Sequence, residues 1–341
     1  MSLTLNDGTK IDLMEFWPSD PGKAPVAHGS VAQRMLNNGF NVNSLRNCDV
    51  LHYEEWLEVD RVVVDEAQLR LQAVGDLISA GLTVPTKGLG KTVFASQKIS
   101  DITDAEITMD GATPTDKDRP LISTDYLPLP IIHKDIEISA RMLAASRSEG
   151  YEPMDTTNIR LATRKVAEKV ETILLTGASS YGFGGGAIYG YLDFPNINSG
   201  SLTADWDDST ATGSTMLADL LAMKQASIDA RHYGPWDVYL PTNYDTAVDD
   251  DFKAASDKTI RQRLMEIGGI NNIKVADKLT ADYIVMVQKT PDVVRLVDGM
   301  PLSVVQWDQQ GGMVFNYKVM TIMVPQIRSE YSDRCGVTVY S

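Results

Sequence analysis

The chain has 341 residues, 43% of them apolar and 23% charged, which is enough for one large domain or two to three small ones with a real core. Its net charge of −15 argues against tight wrapping around nucleic acid, which needs many Lys and Arg to displace counterions; it does not exclude a container for nucleic acid, but a charge that simply keeps the protein soluble is the plainer reading. No apolar run approaches the ~20 residues of a membrane-spanning helix.

Met1–Gly8 lacks the basic-then-apolar pattern of a signal peptide. The two cysteines, Cys48 and Cys335, are far apart, so the expectation is a reducing, cytoplasmic setting without a disulfide framework. Residues 1–50 carry turn signals at Trp17-Pro18, Asp20-Pro-Gly and Asn37-Asn-Gly. They read as an arm rather than a domain, with a disordered tail as the alternative. Trp56, Val59, Val63, Ala67, Leu71, Val74 and Ile78 recur at spacings of three and four, which predicts one helix over 52–80, anchored by Trp56 and stopped by Gly81.

Residues 86–126 form a long excursion with strand-like pieces and no core of its own. Thr92–Ile99 and Ala105–Met109 are rich in β-branched residues, which predicts a two-stranded arm. An isolated hairpin is marginally stable in water, so the arm is either disordered or ordered by lying on something else, with a neighbouring chain as a strong candidate. Val93, Phe94, Ile107 and Met109 are the expected intersubunit contacts. Leu121–Ile138 reads as extended, with prolines that confine it to a sheet edge, followed by a short helix over Ser139–Arg147. Ile159, Ala162, Val166, Val170, Ile173 and Leu174 then predict a helix over 156–176, a rod about 30 Å long.

Residues 177–190 read as a glycine-rich turn, with Gly185 and Gly186 as a hinge between domains. A helix over 214–231, a buried strand at Trp236–Leu240, helices near 242–252 and 258–267, and strands at 272–275, 283–287 and 293–297 follow. The end is β-rich: Leu302–Trp307, a Gly311-Gly312 hairpin turn, Met313–Val324 and Val337–Tyr340.

Motifs for chemistry are sparse. Lys87–Thr92 ends in the Gly-Lys-Thr of a phosphate loop, but Pro85 stands where that loop needs glycine. Gly182–Ala187 fits a relaxed dinucleotide pattern but follows a helix and precedes a strand-like segment, so a flexible turn is the better reading. His28, His52, His133 and His232 are scattered, and neither cysteine completes a metal set. The acidic runs Asp205–Asp208 and Asp249–Asp251 read as solvated loops or helix ends rather than cation sites.

Several segments resemble the tailed-bacteriophage major capsid proteins and their relatives, the encapsulin shell proteins. Leu51-His-Tyr-Glu-Glu-Trp-Leu-Glu-Val-Asp60 is similar to their N-terminal helix, and Pro130–Ser139 to the strand before their spine helix. Lys165–Gly177 is similar to the end of that helix. Tyr189-Gly-Tyr-Leu-Asp-Phe-Pro-Asn196 resembles their turn into the axial domain. The resemblance covers residues 51–341, and the order of elements carries it.

The resemblance implies an α+β capsid fold: an N-terminal arm (1–50), an N-terminal helix (51–85) and an extended β-hairpin loop (86–126). A peripheral domain (127–187 and 299–341) with spine helix 156–176 and an α/β axial domain (188–298) complete it. It implies a virion capsid protein, assembled in the host cytoplasm as hexamers and pentamers of an icosahedral bacteriophage head around double-stranded DNA. The implied partners are copies of itself, scaffolding, portal and decoration proteins, and weakly contacted DNA. No enzyme activity, cofactor, metal, catalytic residue or membrane is implied. Some relatives crosslink a loop lysine to a neighbour, which makes Lys87, Lys91 and Lys98 candidates. The fifty residues before the first helix favour a virus capsid over a cargo compartment. An encapsulin shell enclosing a cargo enzyme, and a soluble α/β enzyme with a non-local site, are the alternatives.

Overall fold

The computed structural model describes residues 2–4, 10–12, 61–67, 71–86, 88–105, 107, 109, 117–142, 154–253, 258–309 and 313–341. Most of the predicted N-terminal arm, Trp56 and Cys48 lie outside these residues. A short antiparallel pair, β1 (Ser2–Thr4) and β2 (Lys10–Asp12), comes first. Residues 61–67 are helical and α1 spans Gln72–Ser79.

The single helix expected over 52–80 is interrupted. Leu71, at φ −88° and ψ 76°, has left the helical region before α1 begins. The interruption rotates the apolar face. Ala73, Val74 and Leu77 are buried, whereas Ile78, placed on the predicted stripe, is 45% exposed. Gly81 takes φ +71° after α1, as a stop glycine should.

The chain continues through β3 (Thr83–Pro85), β4 (Val93–Ile99), β5 (Ile122–Pro128) and β6 (Ile132–Ser139). The short helix expected over 139–147 is described only at 140–142. Helix α2 (Met154–Leu175) matches its prediction, and all six residues of its apolar stripe are buried.

The glycine-rich turn expected at 177–190 is a hairpin, β7 (Ala178–Phe183) with β8 (Gly186–Ile188), turned by Gly184 and Gly185 at φ +61° and +83°. Next come β9 (Asn198–Gly200), α3 (Gly213–Asp229), β10 (Trp236–Leu240), and two short helices, α4 (Asp245–Val248) and α5 (Ile260–Met265). Strands β11 (Ile270–Val275), β12 (Ile284–Gln288), β13 (Val294–Gln309), β14 (Val314–Ile327) and β15 (Val337–Tyr340) complete the chain. The pieces expected at 293–297 and 302–307 are one strand, β13, bent by register shifts between Asp298 and Ser303.

Two sheets result. One has the order β3-β13-β14-β6, the other β11-β10-β12-β15-β9. The C-terminal strand therefore joins the sheet of residues 236–288, not that of its sequence neighbours β13 and β14. Along β14 the period of two divides the sheet's faces. Phe315, Tyr317 and Val319 pack with Ile159, Ala162 and Val166 of α2, while Met320, Ile322 and Val324 face Leu127 and Leu129. In β12 the same alternation sends Val285 and Val287 towards α1 and α2, and Ile284 and Met286 towards α3 and Trp236.

The motif at 189–196 locks the end of α2. The Tyr191 and Leu192 N–H groups donate to the Leu174 and Leu175 carbonyls at 2.9 and 3.0 Å, satisfying acceptors that a helix end leaves open. Gly190 donates to Asp193 Oδ1 at 2.6 Å. A Cβ on Gly190 would fall 2.3 Å from the Gly177 nitrogen, so this turn requires glycine.

Candidate assembly surface

The excursion after β3 is a β-ribbon, though its second strand is not the expected one. Val93–Ile99 pairs antiparallel with Ile122–Pro128, from Val93↔Pro128 to Ile99↔Ile122. Ala105, Ile107 and Met109 belong to no strand. The ladder extends one step outward, where the Ser100 N–H donates to the Leu121 carbonyl and the Leu121 N–H to Ser100 Oγ, at 2.9 and 2.8 Å. Beyond it, the Thr103 N–H donates to the Asp118 carboxylate at 3.1 Å.

The base of the ribbon has its bed within the same chain. Leu127 and Leu129 are buried, and Phe94 packs half-buried against the cluster holding Val297, Met300 and Ile322. Gln326 Nε2 donates to Ser96 Oγ at 2.7 Å, and Lys98 Nζ to Ser329 Oγ at 3.0 Å. Lys98 also pairs with Asp125 at 2.8 Å. Hairpin β7–β8 closes the other side, with Gly184 against Val93 and Gly186 against the Tyr126 backbone.

Among the described residues the outer half has no such cover. Ile99, Ile102, Leu121 and Ile122 are more than half exposed, and Ile107 and Met109 are fully exposed. Fully burying a side chain of this kind contributes roughly 1.5–3 kcal/mol, so the limb holds apolar surface that a partner can cover. The four expected contact residues therefore separate: Val93 and Phe94 lie at the covered base, Ile107 and Met109 on the bare limb. Gly185 occupies the hairpin turn. Gly186 sits where the ribbon approaches too closely for a side chain. Of the candidate crosslink lysines, Lys98 is tied to Asp125 and Ser329, Lys91 lies 4.7 Å from the centre of the Phe94 ring, and Lys87 is outside the described residues.

The motifs weighed for chemistry take ordinary structural roles. Residues Gly88–Gly90 form a single 3-10 turn that runs into β4 rather than a helix, unlike a phosphate loop. Gly182–Ala187 is the β7–β8 turn. His133 lies 3.4 Å from Asp135 on the edge strand β6. Cys335 is fully enclosed, and burial pushes its thiol up to about 11, a poor nucleophile. Among the described residues no three His, Cys, Asp or Glu side chains converge as a metal site would require.

A polar junction between α1 and the five-stranded sheet escaped sequence reasoning. Asp76 on α1 accepts from Tyr239 Oη at 3.1 Å and from Lys274 Nζ at 2.5 Å. Lys289 pairs with Asp237 on β10 and lies 4.0 Å from Asp76. Burial raises the Tyr239 and Tyr191 hydroxyls well above the usual phenol range, so both stay protonated. These residues lie up to 213 positions apart, and no local pattern announces them.

The chain belongs to a family described as a family of unknown function (DUF6260), which matches residues 45–341. No curated protein matches the sequence. Among solved structures it is similar to a virus-like particle from Pyrococcus furiosus, at 16% identity and a TM-score of 0.61, over 84% of this chain and 100% of that one. It is similar to the capsid of Myoviridae phage XM1, at 11% identity and a TM-score of 0.62, over 77% and 90%. It is also similar to the capsid of a native GTA particle, at 12% identity and a TM-score of 0.57, over 77% and 88%. At such identities the likeness is one of fold: this chain has the mixed α+β fold of phage major capsid proteins and their virus-like-particle relatives.

Proposed function

We infer that this chain, a DUF6260 member with the capsid fold, is a shell subunit that works by assembling with copies of itself. Its finer role is the major capsid protein of an icosahedral bacteriophage head, arranged as hexamers and pentamers around double-stranded DNA. It is assembled in the host cytoplasm and ends in the virion, with scaffolding, portal and decoration proteins as further partners. One observation supports this above the rest: a ribbon anchored at its base on its own chain, whose outer half keeps Ile107 and Met109 in water. A sister subunit under that limb supplies the missing cover, and many such contacts sum to a stable shell. The −15 charge fits a wall that holds DNA without gripping it.

Electron microscopy of the purified full chain tests the reading. Closed shells are expected. A monodisperse monomer at tens of micromolar, with the ribbon tip protected, would overturn it. A second reading, a compartment enclosing protein cargo, is favoured by the complete coverage of the virus-like-particle chain. Particles isolated from producing cells decide between them: nuclease-protected DNA supports the head, a co-purifying protein the compartment.

A further inference from the structure

Glu171, near the C-terminal end of the spine helix α2, is only 3% exposed. Its Oε1 accepts the Ala73 N–H at 2.7 Å and its Oε2 the Val74 N–H at 3.2 Å. Those are first-turn donors of α1, whose N-cap, Leu71, has no side chain to serve them. A carboxyl 98 residues away thus caps α1 and ties it to α2.

The charges around Glu171 do not balance it. Asp76 faces it from α1 and Asp277 from the loop after β11, both adding negative field. The cations nearby serve other carboxylates: Lys274 pairs with Asp76, Lys289 with Asp237, and Lys278 with Glu168 at 3.5 Å. On its own helix, Arg164 and Lys165 are also engaged by Glu168. From the turn after α2, the buried Tyr191 hydroxyl feels the Glu171 charge and has no hydrogen-bond partner among the described residues. From β10 come Asp237 and the protonated Tyr239.

We propose that Glu171 is a proton-dependent latch between α1 and the spine helix. Protonated, it encloses no charge: one oxygen still accepts the Ala73 N–H, and the other, the longer-bonded one, carries the proton. Deprotonated, it is an enclosed anion beside Asp76 and Asp277, and the docking of α1 weakens. Burial, only partly offset by the two N–H groups, raises its carboxyl to about 7. A raised carboxyl favours the docked state below its ordinary value near 4.5. That advantage is lost as pH rises to about 7 and stays lost above it. The inference rests on the fold and not on the shell reading.

Hydrogen exchange of the full chain, read by mass spectrometry between pH 4.5 and 8.5 and corrected for intrinsic rates, tests it. Protection of residues 72–79, relative to α3, should fall by up to about tenfold per pH unit and level off near 7. In Glu171→Gln the relative protection should be flat. Asp277→Asn, an exposed change that leaves the core intact, should move the levelling-off point to lower pH. Equal pH dependence in wild type and Glu171→Gln, or an unmoved levelling-off point in Asp277→Asn, would overturn the latch.

Discussion

Gly186 lies so close to Tyr126 that a methyl group in its place would fall 1.8 Å from the Tyr126 carbonyl oxygen. Hairpin β7–β8 and the ribbon base are thus packed backbone to backbone. Gly186→Ala should force the two apart at a cost of about 1–3 kcal/mol. Limited proteolysis should then cut between residues 100 and 121 faster than in wild type while the core survives. Unchanged cleavage would show that the ribbon base does not depend on this approach.

The carboxylate of Asp219, buried on α3, gathers three donors. Trp206 Nε1 donates to it at 3.2 Å, the Thr203 N–H at 3.1 Å and Thr203 Oγ1 at 2.5 Å. Asp219→Ala strands the buried Trp206 Nε1, whereas the exposed Thr203 can turn its donors to water. The expected loss is about 1–3 kcal/mol in urea unfolding. A loss below about 0.5 kcal/mol would mean that water replaces the carboxylate at no cost.

Glu168 and Glu171 lie three residues apart on α2 and respond to pH in opposite directions. Burial would raise the Glu168 carboxyl, but hydrogen bonds from Arg164 and Lys165 and the charge of Lys278 outweigh it and hold the group near 2. Its contribution is therefore present above its ordinary value near 4.5 and is lost as pH falls towards 2. Glu168→Gln should flatten the acid limb of a thermal-stability profile between pH 4.5 and 2. An acid limb of wild-type steepness in that variant would remove Glu168 from the account.

The legibility of the sequence divides by distance along the chain. The α2 stripe from Ile159 to Leu174 was readable because a helix buries a local pattern. Trp236–Leu240 was readable as a short strand of aromatic and branched residues closed by Pro241, and all five residues are buried. The ribbon's second strand was misplaced because strand propensity marks residues that suit a sheet without naming a partner. Ala105–Met109 looked as suitable as Ile122–Pro128. Strand β13 was split in two because Gly299 and Pro301 resemble turn signals, whereas here they mark bends. The break at Leu71 and the cap from Glu171 belong together: α1 can begin without a local cap because a residue 98 positions away supplies one. Of the expected contact residues, Ile107 and Met109 lie on bare surface, while Phe94 faces its own core.

The central claim is that the outer half of the ribbon finds its cover on sister chains. Sedimentation velocity of Ile107→Asp/Met109→Asp beside wild type tests it most directly. Both side chains are fully exposed in the single chain, so the variant should keep the wild-type melting temperature of the unassembled subunit. The account predicts fast-sedimenting shells for wild type and only small species for the variant. Shells of equal size and yield from both proteins would contradict it.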